Sequence, residues 1–250
     1  LIGESNGEAF YRGDLADAIV KHASETGGYL TKADLAEHQP EWGDLISTNY
    51  RGYDVWEIPP NGQGITALIA LNILEGFEMD RYPHRYVADP QLAKVPTQGL
   101  LSKAYAQERR NLIDPNRAMP GAEPGDPLGD TVYLCTADRD GRMVSFIQSN
   151  YMGFGSGIVV PGTGITLQNR GCGFSLEEDH PNVYAPSKRP YHTIIPSFIT
   201  KDGIPLAAYG VMGGDMQPQG HMQVISSIVD YGLNPQAAMD APRVRVLEDG

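Results

Sequence analysis

The chain changes character at Thr131. Before it, Asp114 to Asp130 (DPNRAMPGAEPGDPLGD) is a Pro- and Gly-rich linker. After it, Val132 to Ala137 and Met143 to Ser149 are two runs rich in β-branched and apolar residues, separated by Asp138-Arg139-Asp140-Gly141, which is hairpin-turn chemistry. A threonine therefore opens the first strand of a hairpin, directly behind a segment that could be cut away. If the Asp130–Thr131 bond were cleaved, Thr131 would carry both a hydroxyl nucleophile and a free α-amine to act as its base. The plainer reading, that Thr131 is a β-former at the start of a strand, stands beside this one.

Leu15, Ala18, Ile19 and Lys21-His22 make a helical stripe that stops at Gly27-Gly28, and Thr31 with Asp34 resembles a capping box opening a second short helix. Strands are expected at Leu45 to Tyr50 and Tyr53 to Ile58, on either side of Arg51-Gly52. Asn61-Gly62-Gln63-Gly64 feeds ITALIALNILEGF, a helix so nearly apolar all round that it must be buried. Pro83, Pro90 and Pro96 prevent long helices in their region, and a further helix is read from Leu100 to Leu112. Beyond Ser149, glycines 153, 155 and 157 thread a loop into a strand near Ile165 to Gln168. Asn169 to Gly173 follows as a turn, and Ser175 to Pro190 as a long surface loop.

Tyr191 to Thr200 and Ile204 to Gly210 form a second hairpin across Lys201-Asp202-Gly203. It runs into Gly213-Gly214 and a helix from Gln219 to Tyr231, and Asn234-Pro235 caps a last short helix. A strand, a glycine pair and a helix N-terminus present unpaired backbone N–H groups at one point, which suits an oxyanion. A tight strand-to-helix connection that needs glycine for its φ angles is the other reading.

Composition narrows the function classes. The 250 residues, 41% of them hydrophobic, can bury one sizeable core. A net charge of -12 argues against nucleic acid or an anionic membrane surface as partner. Two cysteines, Cys135 and Cys172, cannot supply a disulfide framework, and the six histidines show no metal-ligand spacing, so neither metal nor cofactor is expected. No apolar run is long enough to span a bilayer and no signal peptide is read at Leu1. Since the chain begins at Leu, its start carries little weight; the compartment is left open, leaning cytoplasmic.

Several long segments together resemble the γ-glutamyltransferase (γ-glutamyltranspeptidase) family of N-terminal-nucleophile hydrolases. They include YRGYDVWEIPPNGQG, GDTVYLCTADRDGRMVSFIQSNYMGFGSGI, QNRGCGFS, KRPYHTIIPSFITKDG and GVMGGDMQPQGHMQVISSIVDYGLNPQAAMDAPR. The resemblance implies an α+β fold, the four-layer αββα sandwich. It also implies a precursor that cleaves itself before Thr131, so that residues 1–130 are the end of a large subunit and residues 131–250 most of a small one, the two remaining associated. Ser149 matches a hydroxyl residue that hydrogen-bonds the nucleophile, and Gly213-Gly214 match the oxyanion-hole pair. The activity implied is hydrolysis or transfer of the acyl group of a small amide through an acyl-threonine.

The chain also departs from the family pattern. Where γ-glutamyl-specific members hold the substrate's α-amine with Asn, Gln and Asp, an ungapped alignment from Thr131 brings Tyr151, Arg170 and Gly173. The serine pair that takes the α-carboxylate becomes His192-Thr193, and Asp215 sits just past the oxyanion glycines. No carboxylate remains at the amine positions to neutralise an ammonium, and Arg170 would repel one. An acyl group carrying a carboxylate without an α-amine fits better, as in the glutaryl-type acylases and the oxamate amidohydrolase-like branch. Arg170 reads equally as a surface residue in a polar turn, and His192 as a structural histidine. The family's first large-subunit segment is absent, and a helix expected between Arg85 and Tyr86 is missing. A non-catalytic remnant that does not self-cleave is therefore the competing reading.

Overall fold

A computed structural model describes residues 1–76, 97–110 and 129–245. The junction between Arg85 and Tyr86 and most of the linker lie outside these residues. Helices α1 (Glu8–Tyr11), α2 (Asp14–Glu25) and α3 (Lys32–Glu37) come first. The Thr31 capping box forms, its side chain accepting from the Asp34 N–H while Asp34 takes the Thr31 N–H.

β1 (Ile46–Tyr50) and β2 (Tyr53–Glu57) pair antiparallel across Arg51-Gly52, both at positive φ (52° and 87°), the conformation a two-residue hairpin requires. β5 (Ser197–Lys201) and β6 (Ile204–Tyr209) form an equivalent hairpin over Asp202-Gly203. The two hairpins join edge to edge, Val55 opposite Ile199, in one four-stranded antiparallel sheet ordered β1-β2-β5-β6.

Two helices cover this sheet: α4 (Gly64–Leu74) and α7 (Met216–Val229). Tyr50, Val55 and Ile199 of the sheet form one core cluster with Leu68 and Leu71 of α4 and Met222 and Ile225 of α7. The opposite side of α4, Ile65, Ile69 and Ile73, buries against Ala106 of α6 (Lys103–Arg110), which follows the short α5 (Thr97–Leu100). Burial on two sides is why α4 can be apolar all round. β3 (Gly129–Ala137) and β4 (Met143–Met152) make a separate two-stranded sheet. Its Ser145 Oγ accepts the Ser197 N–H at 3.1 Å, and its Tyr133 ring lies where a side chain at Gly210 would have to go, 2.5 Å from the position of a Cβ. α8 (Pro235–Asp240) closes the described chain, with the Asn234 side chain accepting the Ala237 N–H.

Three expectations need correction. Ile165 to Gln168 is not a strand and makes only an isolated bridge, Val159 with Thr166, because Gly162 and Gly164 both take positive φ and break any extended ladder. Tyr191 to Pro196 lies outside β5; its one bridge is parallel, His192 to Gly62, and Pro196 has no N–H to offer a ladder. The last long helix starts at Met216, three residues before the expected start.

Candidate active site

Thr131 and Ser149 are direct cross-strand partners on β3 and β4, and the Thr131 hydroxyl donates to Ser149 Oγ at 3.0 Å. Thr131 is 9% exposed. Next to this pair the register shifts: Gly129 faces Met152, so Asn150 and Tyr151 together oppose Asp130 alone. The extra residue is a β-bulge, and Tyr151 takes φ 81° within it. A tyrosine in left-handed backbone costs on the order of 1–3 kcal/mol, strain of the kind that gathers at functional sites. The bulge points the Tyr151 N–H back at Ser149 Oγ (2.8 Å) and turns its ring towards Arg170, whose guanidinium carbon lies 4.5 Å from the ring centre.

Arg170 opens a 3₁₀ turn, Arg170–Gly173, and is 9% exposed. This overturns the reading of it as a surface residue. Its Nη1 donates to Thr193 Oγ1 at 2.8 Å, its backbone N–H goes to the Gln168 side chain, and its buried Nη2 has no hydrogen-bond partner among the described residues. Burial lowers the guanidinium pKa from its usual value, opposed by neighbouring Tyr151, Cys172, Tyr191 and Asp215. Tyr151, Arg170, Gly173, Tyr191, His192 and Thr193 line one pocket with an empty volume of ≈ 170 Å³, part of it open to solvent.

His192 is structural and also a pocket residue. Its backbone is clamped to the Asn61-Gly62-Gln63 segment by two hydrogen bonds, and its ring lies so close to Gly62 that a Cβ there would sit 2.7 Å from Cε1. Burial, with the nearby Arg170 and Arg189 charges, pushes its pKa down to about 4, so the ring is neutral near pH 7. Because Nδ1 accepts the Ile194 N–H at 3.2 Å, the proton is on Nε2. Arg170 Nη2, the Thr193 hydroxyl and His192 Nε2–H are thus donors on the residues of one pocket whose lining contains no carboxylate.

Gly213 (φ 125°) and Gly214 (φ 56°) lie between β6 and α7, and neither N–H donates to another described residue. Asp215 is the N-cap residue of α7 and stands outside the pocket lining; its carboxylate lies 3.3 Å from the Tyr191 hydroxyl, whose one proton has a nearer acceptor in Gln63 Oε1 at 2.7 Å. Sequence reading passed over Gln63, Tyr191 and His221. Gln63 is 2% exposed, and a polar residue between two glycines, after Pro-Pro and before a buried helix, was the signal available for it. Among the described residues no group of His, Cys, Asp and Glu has the make-up of a metal site, and no helix is long and apolar enough to cross a membrane.

The strand expected to open at Thr131 begins two residues earlier, at Gly129, so Thr131 lies inside β3, where its hydroxyl donates to the cross-strand Ser149 while the glycine pair lies ahead of α7. Comparisons with known proteins identify the family. The γ-glutamyltranspeptidase family model matches residues 1–85 and 83–247, and the chain belongs to that family. The two matches meet where the sequence reading found a helix missing. Among its relatives are the glutathione hydrolase-like YwrD proenzyme of Bacillus subtilis (strain 168), 41% identical, with 97% of this chain and 50% of that protein aligned, and the oxamate amidohydrolase proenzyme of Klebsiella pneumoniae, 32% identical over 94% and 48%. A crystal structure of cephalosporin acylase from Bacillus halodurans superposes with a TM-score of 0.87 at 57% identity, covering 97% of this chain and 48% of that one. The chain spans about half the length of these relatives.

Proposed function

We propose that this chain is the catalytic portion of a self-processing acylase of the γ-glutamyltranspeptidase family, acting on a small amide whose acyl group carries a carboxylate and no α-amine. In this reading residues 1–130 belong to the large subunit, residues 131–250 form most of the small one, and the complete protein folds as the four-layer αββα sandwich. The observation that carries the proposal is the Thr131–Ser149 hydroxyl pair at 3.0 Å, next to a bulge whose tyrosine lies against a buried arginine.

Maturation uses the hydroxyl of Thr131 on its own preceding peptide bond. Oγ attacks the Asp130 carbonyl carbon, the C–N bond breaks as the amide nitrogen takes a proton, and water hydrolyses the resulting ester. Asp130 is left with a carboxylate and Thr131 with a free α-amine. In turnover Oγ attacks the substrate carbonyl while that amine takes its proton. The Ser149 hydroxyl, oriented by the Tyr151 N–H, can then turn its own proton to the Thr131 oxygen. The tetrahedral oxyanion rests on the Gly213 and Gly214 N–H groups. The leaving amine departs with the proton from the α-ammonium, and water or an acceptor amine releases the acyl group by the reverse path.

The acyl carboxylate binds Arg170 Nη2, the Thr193 hydroxyl and His192 Nε2–H, with Tyr151 as the wall beneath the guanidinium and Asp215 at the rim through Tyr191. A charge-assisted pair in a desolvated site also gives the otherwise unpartnered Arg170 Nη2 its acceptor. The 57% identity to a cephalosporin acylase supports the acylase reading.

The mass of the denatured protein tests the first step. Wild type should separate into two fragments divided between Asp130 and Thr131, whereas Thr131→Ala should stay a single species of 27.2 kDa. Screening with glutaryl, oxamyl and γ-glutamyl amides tests the second. Preference for a γ-glutamyl over a glutaryl donor would sink the assignment of Arg170, and a wild type that remains uncleaved would favour the remnant reading.

A further inference from the structure

We propose that Gln63 is a positioning residue for the oxyanion glycines, and that the β2–α4 connection, Glu57 to Gly64, holds the oxyanion loop at both its ends. This rests on the acyl-transfer reading of the site. The loop from Gly210 to Asp215 carries two glycines at positive φ, so its own backbone preference does little to fix where the two N–H groups point. An oxyanion hole is effective only when its donors are held in place before charge develops.

The hold at the C-terminal end is on Gly214. The Gln63 amide nitrogen donates to the Gly214 carbonyl at 2.9 Å and to the Thr193 carbonyl at 3.3 Å. Both partners are acceptors, so the NH₂ must face them and Oε1 must point away. Oε1 receives the Tyr191 hydroxyl at 2.7 Å, which fixes the amide in that orientation. Gln63 is itself held, its backbone N–H donating to the His192 carbonyl at 3.1 Å. One buried side chain therefore links the oxyanion loop, through Gly214, to the pocket wall at Tyr191 and Thr193.

The hold at the N-terminal end is on Val211. Its N–H donates to His221 Nε2 at 3.2 Å, so Nδ1 carries the ring proton and donates to Glu57 Oε1 at 2.8 Å. Ser197 Oγ lies 2.9 Å from the same carboxylate oxygen, and Glu57, His221 and Ser197 are all fully buried. Glu57 and Gln63 lie six residues apart in sequence, so this single connection braces the loop on either side of Gly213.

The experiment compares Gln63→Met, Gln63→Glu and Tyr191→Phe with wild type, all in the self-cleaved form. Met has nearly the same length as Gln and removes all three side-chain hydrogen bonds. Glu keeps the acceptor for Tyr191 but faces the Gly214 carbonyl with a second acceptor. Tyr191→Phe disturbs packing least and frees the amide to turn over. We expect kcat on a glutaryl amide to fall roughly 10- to 100-fold in both Gln63 variants and several-fold in Tyr191→Phe. Affinity for a boronic-acid analogue of the donor, which mimics the tetrahedral oxyanion on Thr131, should fall in parallel, while in the Gln63 variants inhibition by free glutarate stays within about twofold of wild type. Wild-type kcat in Gln63→Glu would overturn the proposal, as would equal losses of boronate and glutarate affinity, which mark general loosening of the pocket. If the Gln63 variants do not fold, Tyr191→Phe decides alone, and unchanged boronate affinity there refutes the role. A wild type that neither cleaves nor turns over amides would instead refute the acyl-transfer reading itself.

Discussion

Arg170 and His192 show how much a side chain's chemistry depends on where it is held. A buried guanidinium with one nitrogen bonded to Thr193 and another unpartnered among the described residues is costly without a counter-charge. Arg170→Gln should therefore weaken anionic acyl donors, raising KM roughly 10- to 100-fold, the worth of a hydrogen bond to a charged group. Unchanged Michaelis constants would remove Arg170 from the site. His192 makes a separate prediction about stability. Its folded pKa of about 4 lies below the ordinary histidine value, so the unfolded chain binds more protons between those two values. The stability it contributes is present above about pH 6.5 and is lost as pH falls towards 4, up to on the order of 3 kcal/mol. Urea midpoints measured from pH 7 to 4.5 should fall more steeply for wild type than for His192→Asn, whose Oδ1 can still accept the Ile194 N–H.

The helices and hairpins were legible to different degrees, for identifiable reasons. The three hairpins announce themselves locally, because Arg51-Gly52, Asp138 to Gly141 and Asp202-Gly203 are turn chemistry between β-forming runs. α4 was legible as buried because no face of it is polar. What covers it was not, since Ile199, Met222 and Ile225 are far away in sequence. Leu68, fully buried in that cluster, gives the element its test: Leu68→Ala should cost 2–5 kcal/mol in urea unfolding. Leu206→Ala, at an exposed position of β6, should cost well under half as much. The expected strand at Ile165 to Gln168 failed because Gly162 and Gly164, both at positive φ, fold it back on residues 156–160, where it makes a few backbone hydrogen bonds and one bridge rather than a ladder.

The molecule as a whole explains how two products of one chain would stay together. β1 and β2 precede the proposed cleavage point and β5 and β6 follow it, yet all four share one sheet, with Asp54, Val55 and Trp56 paired to Thr200, Ile199 and Phe198. Tyr50, Leu68 and Leu71 share a core with Met222 and Ile225 across the same divide. Fragments 1–130 and 131–250 should therefore co-elute in native gel filtration and separate only in denaturant; separation without denaturant would contradict this account. Local chemistry was enough to read the hairpins, the caps, the buried helix, the position of Thr131 and the glycine pair before α7, because each depends on residues a few positions apart. Family resemblance added Ser149 and the positions of the pocket residues. Only the tertiary structure decided that Arg170 is buried against Tyr151, that His192 is a neutral Nε2–H donor, and that Gln63 reaches Gly214. Those properties come from desolvation and from contacts between separate segments, Tyr151 with Arg170 across an intervening loop and Gln63 with Gly214 across most of the chain, which no local pattern encodes.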